Sequence, residues 1–399
     1  MKTFTCILLL MTSLCLVHGQ SRDLVVKNLT TNLEKIAMKG HISGFSVAIV
    51  NAHETLYTHG FGYADIQQQK KYTENSIQTI ASISKTSIGI ALLKAQEMGK
   101  LNLDDAINTY LPFEVVNPYF PEEPITIRQL ASHTSTIKDA HQYESRGYIL
   151  YSSNNMGTKA NKNFRTPEDI MPYGLFLKKI LSKEGEWYKK KNFHKKKQGS
   201  IFEYSNIGAG LAALVLENAV DQPFNEFTKT YIFEPLEMTQ TGWFLSNVDR
   251  SMLTKLYTGN GTQLAPYQLV NYPDGAMITS STDLAKYLSE LIAGYRGKGT
   301  LLSNESYQEL FSPNLSTAIH EDKNENKYND EYEMGIFMGI SAKGQIGHTG
   351  GDPGVSSFMF FDTASQIGKL LMVNTDLSKE GVKSFIEIWK TLESYETKL

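Results

Sequence analysis

Residues 81–101 read ASISKTSIGIALLKAQEMGKL, and the fold turns on how this stretch is read. Ile88, Ala91, Leu92, Ala95 and Met98 recur at helical spacing and Gly99 supplies a C-terminal stop, so the segment is expected to form one well-defined helix. Ser82 opens it, in a first turn where backbone N–H groups lack partners and the dipole favours negative charge. Lys85 follows three places later on the same face, about 5–6 Å away at the Cβ atoms. An amine held in a desolvated cleft is pushed toward its neutral form, which can accept the proton of a serine hydroxyl. The spacing alone does not decide the matter, because Ser135 to Lys138, STIK, repeats it without opening an apolar-periodic helix. A serine at a helix start beside a snorkelling lysine is the purely structural alternative.

Outward from that helix the texture changes on both sides. GFSVAIV (44–50) and ETLYTHGFG (54–62) are β-rich runs parted by a short polar turn and read as a hairpin. Near the other end, EMGIFMGIS (333–341), GVSSFMFFD (354–362) and IGKLLMVN (367–374) read as strands, followed by an amphipathic helix carrying Val382, Phe385, Ile386, Trp389 and Leu392. Between them lie a capping-box signature at Thr126 to Gln129 and a second helix start at Thr166-Pro167-Glu168-Asp169. One further helix is expected over 206–220, with Ile207, Leu211, Leu214, Val215 and Asn218 on one side, and another from about Ser281 to Ala293. Strands at both ends with helices between predict an α/β fold of the α+β type. Its antiparallel sheet is built from N- and C-terminal segments (20–80 and 275–399) flanked by helices, with a mostly helical lobe (81–274) inserted. A small molecule would bind in the cleft between the lobes.

Composition narrows the function. With 399 residues, 41% of them hydrophobic, the chain can bury a large core, and residues 20–399 are read as a single catalytic domain. Acidic side chains number 42 against 39 basic ones, so nothing overall favours nucleic acid as a partner. Lys2, the apolar run CILLLMTSLCLV and Val17-His18-Gly19-Gln20 read as a secretory leader (1–19) cut after Gly19, which predicts a secreted or periplasmic product. Cys6 and Cys15 both fall in that leader, leaving the mature chain no disulfide and no thiolate metal site; no metal and no cofactor are expected. No later apolar stretch is long enough to span a bilayer. The run KKKNFHKKK (189–197) lacks interleaved apolar periodicity and reads as a solvated loop. Asn28, Asn260, Asn304 and Asn314 begin glycosylation sequons that chance explains equally well.

Two more segments carry chemistry. In FEYSNIGAGLAALVLE (202–217), Tyr204-Ser205-Asn206 opens a helix and offers a phenol and a carboxamide. In GQIGHTGGDPG (344–354), His348-Thr349-Gly350-Gly351 ends a strand with glycines that let a ligand approach the backbone. Taken singly, the tyrosine reads as core, the asparagine as a cap and the glycines as a turn.

Taken together and in this order, Ser82-Ile83-Ser84-Lys85, Tyr204-Ser205-Asn206 and His348-Thr349-Gly350 resemble the SxxK, YxN and KTG or HTG motifs of the serine beta-lactamase and penicillin-binding protein superfamily. The likeness is to its class C-like branch, which includes esterases and D-amino-acid peptidases, and it covers most of the mature chain. The resemblance implies an acyl-enzyme mechanism on an amide or ester carbonyl, with Ser82 as nucleophile and Lys85 and Tyr204 sharing the proton traffic. Asn206 would bind a substrate amide or steady Lys85. The backbone N–H groups of Ser82 and Gly351 would form the oxyanion hole, and His348, Thr349, Gly350 and Gly351 would line the substrate site. A phenol of pKa near ~10 is a poor base unless the positive field of Lys85 ionises it. Two departures stand out. His348 replaces the basic residue of KTG and would hold a substrate carboxylate less firmly than lysine; Thr136 stands where the family usually has glycine. An insertion spanning about 140–198 could cover the cleft. The rival reading is a penicillin-binding sensor, or a slow cell-wall peptide-binding protein; an α/β-hydrolase is set aside because the chain holds no GxSxG elbow. The expected partner is a small-molecule or peptide substrate, and the sequence does not define an oligomeric state.

Overall fold

Period-two alternation with both faces apolar dictates where the sheet sits. The computed structural model describes residues 22–154, 163–315 and 324–399. The expected leader, with Cys6 and Cys15, and residues 155–162 of the expected insertion lie outside the described residues. Every residue of strand β1 (Gly44–Val50) is buried. Phe45, Val47 and Ile49 pack with Leu29, Leu33 and Ile36 of helix α1 (22–37), whereas Ala48 and Val50 join the larger core on the opposite face.

Among the described residues, eight antiparallel strands follow the order β3-β2-β1-β12-β11-β10-β9-β8. Here β2 is Thr55–Asp65, β3 Lys70–Lys71, β8 Glu333–Met334, β9 Gly339–Ile340, β10 Gln345–Asp352, β11 Val355–Asp362 and β12 Gly368–Val373. Phe45 sits opposite Val373 and Val47 opposite Leu371, so the two ends of the chain are joined mid-sheet, as the pattern of strands predicts. Two smaller pairings sit apart: β4 (Ile77–Thr79) with β7 (Ile278–Ser280), and β5 (Tyr148–Leu150) with β6 (Tyr267–Leu269). The run 333–341 is not one strand. It folds back as β8 and β9 because Phe337 takes φ +51° and turns the chain.

Helix α10 (Lys379–Tyr395) closes the same face as α1, with Phe385, Ile388, Trp389 and Leu392 on Phe360, Leu371 and Val373. Its buried stripe passes through Gly381 and Ser384, which leaves Val382 exposed. The other face carries α2 (Lys85–Glu97), α6 (Asn206–Val220) and α8 (Ser281–Tyr295). Every residue of α6 from Ile207 to Leu216 is buried, not one side only. A helix apolar all round belongs inside, and α6 forms the centre of the helical lobe.

The lobe is completed by α3 (Ile127–Ala131), α4 (His141–Arg146), α5 (Tyr173–Leu181), α7 (Phe224–Thr228) and α9 (Asn304–Phe311). The capping box before α3 forms, Thr126 N–H donating to Gln129 Oε1 at 3.0 Å and Gln129 N–H to Thr126 Oγ1 at 3.3 Å. Thr166-Pro167 starts only a 3-10 turn over Pro167–Asp169. Pro172 biases the residue before it to extended backbone, so the helix restarts at Tyr173. In the lysine run, Asn192 and Phe193 are buried and the six lysines are exposed, which fits a solvated loop pinned at its centre. No described helix is long and apolar enough to cross a membrane.

Candidate active site

Strand β4 delivers the chain to a 3-10 turn, Ala81–Ser84, and α2 begins only at Lys85. Ser82 therefore sits in that turn rather than in the α-helix itself. The cause is Ala81, whose φ of +50° bends the backbone sharply just before the serine; such conformations cost of order 1–3 kcal/mol and cluster at functional sites.

Lys85 is 0% exposed. Its Nζ lies 2.9 Å from Ser82 Oγ and donates to the carbonyl of Asp274 at 2.7 Å. Burial pushes its pKa down, while Asp274, Asp139 and Asp352 pull the other way. Tyr204 is the residue before the Ser205 cap of α6; the Ser82 side chain draws its pKa down, and Lys85 Nζ lies 5.3 Å from the centre of its ring. Ser82, Lys85 and Tyr204 thus meet as the sequence predicts. The ionisation that would make Tyr204 a base does not follow: burial raises its phenol well above the ordinary value, Ser82 opposes this, and Asp330 and Asp274 reinforce the rise. The phenol keeps its proton.

Asn206 is the first residue of α6, and its Nδ2 donates to Asp139 Oδ2 at 2.7 Å. Asp139 Oδ1 accepts the Ile207 N–H at 3.0 Å, so this carboxylate binds the N-terminus of α6 and fixes the carboxamide. With Nδ2 occupied, Asn206 has its Oδ1 left for a substrate N–H or an amine.

The third motif lies on β10, which continues through both glycines to Asp352 instead of ending before them. His348 is 3% exposed, with Nδ1 placed 2.6 Å from Thr349 O and 3.6 Å from Asp330 Oδ2. Burial lowers its pKa and Asp330 opposes this, so the ring is a neutral wall group. The Thr349 N–H is taken by Asp330 Oδ2 at 2.6 Å. Gly350 has no room for a side chain, since a Cβ there would stand 2.3 Å from Ile80 O, whereas one at Gly351 would meet nothing within 4 Å. Gly350 lets β10 press on the Ser82 turn, and Gly351 faces open space. Gly350→Ala is accordingly expected to destabilise the fold by ~1–3 kcal/mol and to cut activity sharply, checked by thermal melts and ester turnover. Wild-type behaviour would show that the close approach is dispensable.

The fold that carries this serine, buried lysine and tyrosine has counterparts among known proteins. Residues 27–393 match the family described as Beta-lactamase. The chain belongs to that family. Protein flp of Staphylococcus aureus is 26% identical over 368 residues, a match covering 90% of this chain and 65% of that protein, so the chain spans about two thirds of this relative's length. Two solved structures show the Beta-lactamase-family fold. An octameric penicillin-binding protein homologue from Pyrococcus abyssi superposes with a TM-score of 0.71 at 21% identity, covering 94% of this chain and 79% of that one. A D-amino acid amidase from Ochrobactrum anthropi gives 0.64 at 18% identity, covering 92% and 99%.

Several residues packed around this candidate site were not foreseen: Asp139, Asp274, Asp352, His133 and Tyr148. Burial raises Asp274 to about 7 and Asp352 to about 6. Asn271 Nδ2 donates to Asp274 Oδ2 at 2.6 Å and to Asn206 O at 3.0 Å, tying the lysine's neighbour to the YxN segment. His133 is 1% exposed, accepts the Ser205 N–H at Nδ1 (3.2 Å) and lies 4.5 Å from the Tyr204 ring, centre to centre. Thr136, where glycine was noted as usual, does take a glycine-like φ of +69° and is steadied by Asn117 Nδ2, which donates to its Oγ1 at 2.8 Å. Among the described residues no group of three or more His, Cys, Asp or Glu is placed to hold a metal ion.

A pH prediction follows from Asp274. Its carboxylate favours the charged amine of Lys85, so Asp274→Asn removes that support and moves the amine pKa lower. If neutral Lys85 takes the serine proton, the acid limb of the pH–rate profile for acylation shifts to lower pH in the variant. An unshifted limb would show that Lys85 does not feel this charge.

Proposed function

We propose that the protein is a serine hydrolase that opens an ester or amide carbonyl through an acyl-enzyme on Ser82. The observation that carries this reading is a wholly buried amine 2.9 Å from a serine hydroxyl and 5.3 Å from the centre of the Tyr204 ring. The downward shift at Lys85 and the upward shift at Tyr204 support a division of labour between them. Neutral Lys85 takes the Ser82 proton as Oγ bonds to the carbonyl carbon. Tyr204 passes its proton to the leaving oxygen or nitrogen as that bond breaks, and regains one from Lys85. Water then attacks the acyl-enzyme, releasing the acid and restoring Ser82. The N–H groups of Ser82, in its 3-10 turn, and of Gly351, on the open part of β10, are the proposed oxyanion donors, each worth ~2.7–4 kcal/mol by analogy with measured holes. The related structures named above make a D-amino-acid amide and a β-lactam substrates to try first, and the resemblance to esterases adds a short ester.

Steady-state assays with a p-nitrophenyl ester, a D-amino-acid p-nitroanilide and a chromogenic cephalosporin test this. Many turnovers per chain on at least one of them are expected. A single stoichiometric burst with a persistent adduct on all of them would instead favour the penicillin-binding sensor.

A further inference from the structure

We propose that Asp352 makes the site selective for acyl substrates carrying an ammonium group near the scissile carbonyl, and against those carrying a carboxylate there. This deepens the acyl-enzyme reading and rests on it. Asp352 is the last residue of β10, directly after Gly350 and Gly351, and is only partly buried. Its Oδ1 accepts the Tyr148 hydroxyl at 2.7 Å. Tyr148 is itself fixed by the β5–β6 pairing and by the Tyr267 ring, 5.6 Å away centre to centre. Oδ2 lies on the Gly275 side, 3.3 Å from where a Cβ of that glycine would stand, a point only 3.8 Å from the carbonyl carbon of Ala81. The carboxylate is thus held rigidly beside the turn that presents Ser82, with one oxygen left over.

The charges around it point the same way. The Lys85 amine is engaged by Ser82 and the Asp274 carbonyl. His348 is buried and turned toward Asp330. A substrate carboxylate placed along β10 would therefore meet Asp352 with no free cation from the motif residues, whereas an ammonium group would find an acceptor oxygen of opposite charge. The Coulomb difference between the two, even at an effective dielectric near ~20, corresponds to about tenfold or more in kcat/KM.

Three p-nitrophenyl esters of matched length test this at pH 8: 4-(trimethylammonio)butyrate, 5,5-dimethylhexanoate and hydrogen glutarate, carrying a permanent positive charge, none and a negative charge. The expected order of kcat/KM is cationic, neutral, anionic, with about tenfold or more between the extremes and a narrowing as salt is added. In Asp352→Asn, where the amide can still accept from Tyr148, the cationic-to-anionic ratio is expected to collapse toward unity. A flat or inverted order in the wild type overturns the inference while leaving the hydrolase reading intact. An unchanged ratio in the variant, with all three esters slowed alike, shows a structural role only and also overturns it. If no ester is turned over and Ser82 is never acylated, the hydrolase reading falls and this inference with it.

Discussion

Ser82→Ala is expected to abolish acylation and turnover, by a factor on the order of 10⁴ or more, in a protein that stays folded. The hydroxyl lies 2.9 Å from Lys85 Nζ, which in turn lies 5.3 Å from the centre of the Tyr204 ring. Among the described residues no other serine hydroxyl is bonded by Lys85: Ser135, the head of the repeated SxxK spacing, has its Oγ against the Ile137 N–H at 3.4 Å instead. Removing one hydroxyl from a 3-10 turn forfeits hydrogen bonds worth about 0.5–1.5 kcal/mol each, too little to unfold a core of this size. Circular dichroism and a thermal melt establish the fold, and ester hydrolysis reads the activity. A folded Ser82→Ala protein with wild-type turnover would remove the assignment.

Lys85→Met comes second, with a loss on the order of 10²–10⁴ in acylation rate. Methionine keeps most of the volume at a position that is 0% exposed, so packing survives while the proton acceptor is lost. The same substitution carries a stability signature. Lys85 lowers the pKa of Asp139, Asp274 and Asp352 by its charge, against the burial that raises them. Without the amine, those folded-state values climb further above their unfolded ones. A carboxyl whose pKa is raised by folding binds its proton more tightly in the native state, so its contribution to stability is present at low pH and lost as pH rises through the window between the two values. From the ordinary 3.8 to about 6 for Asp352 and about 7 for Asp274, that window runs from roughly pH 4 to 7 already in the wild type. Lys85→Met is expected to widen it, losing more melting temperature between pH 5 and pH 8 than the wild type does. Equal losses in both proteins would mean that the amine and the carboxyls do not interact.

Much of this was legible in the chain itself. The hairpin of β1 and β2, the strands β11 and β12 and the helix α8 follow from period and punctuation, because each buries a face that its own residues define. Two of the three motifs sit at element boundaries, the turn before α2 and the start of α6, while the third lies inside β10, where its glycines mark it. What was hidden is what burial does to isolated polar residues. Asp139, Asp274 and Asp352 carry no local signal, and only the packing of distant segments brings them around Lys85. The setting of His348 was hidden for the same reason, since a histidine in a glycine-flanked motif gives no sign of which way its ring turns. Helix α6 looked one-sided because its small residues, Gly208, Ala209, Gly210, Ala212 and Ala213, carry little hydropathic weight although all are buried. The path from Tyr148 to Asp352 spans 204 residues of sequence and leaves no local trace.

The measurement that bears most directly on the central claim is acid-quench mass spectrometry of the wild-type protein during turnover of a slow ester or a β-lactam, followed by peptide mapping. The account predicts one acyl group per chain, carried by the peptide that contains Ser82 and absent from Ser82→Ala. Turnover with Ser82 unmodified, or with the acyl group mapped to another residue, would contradict it.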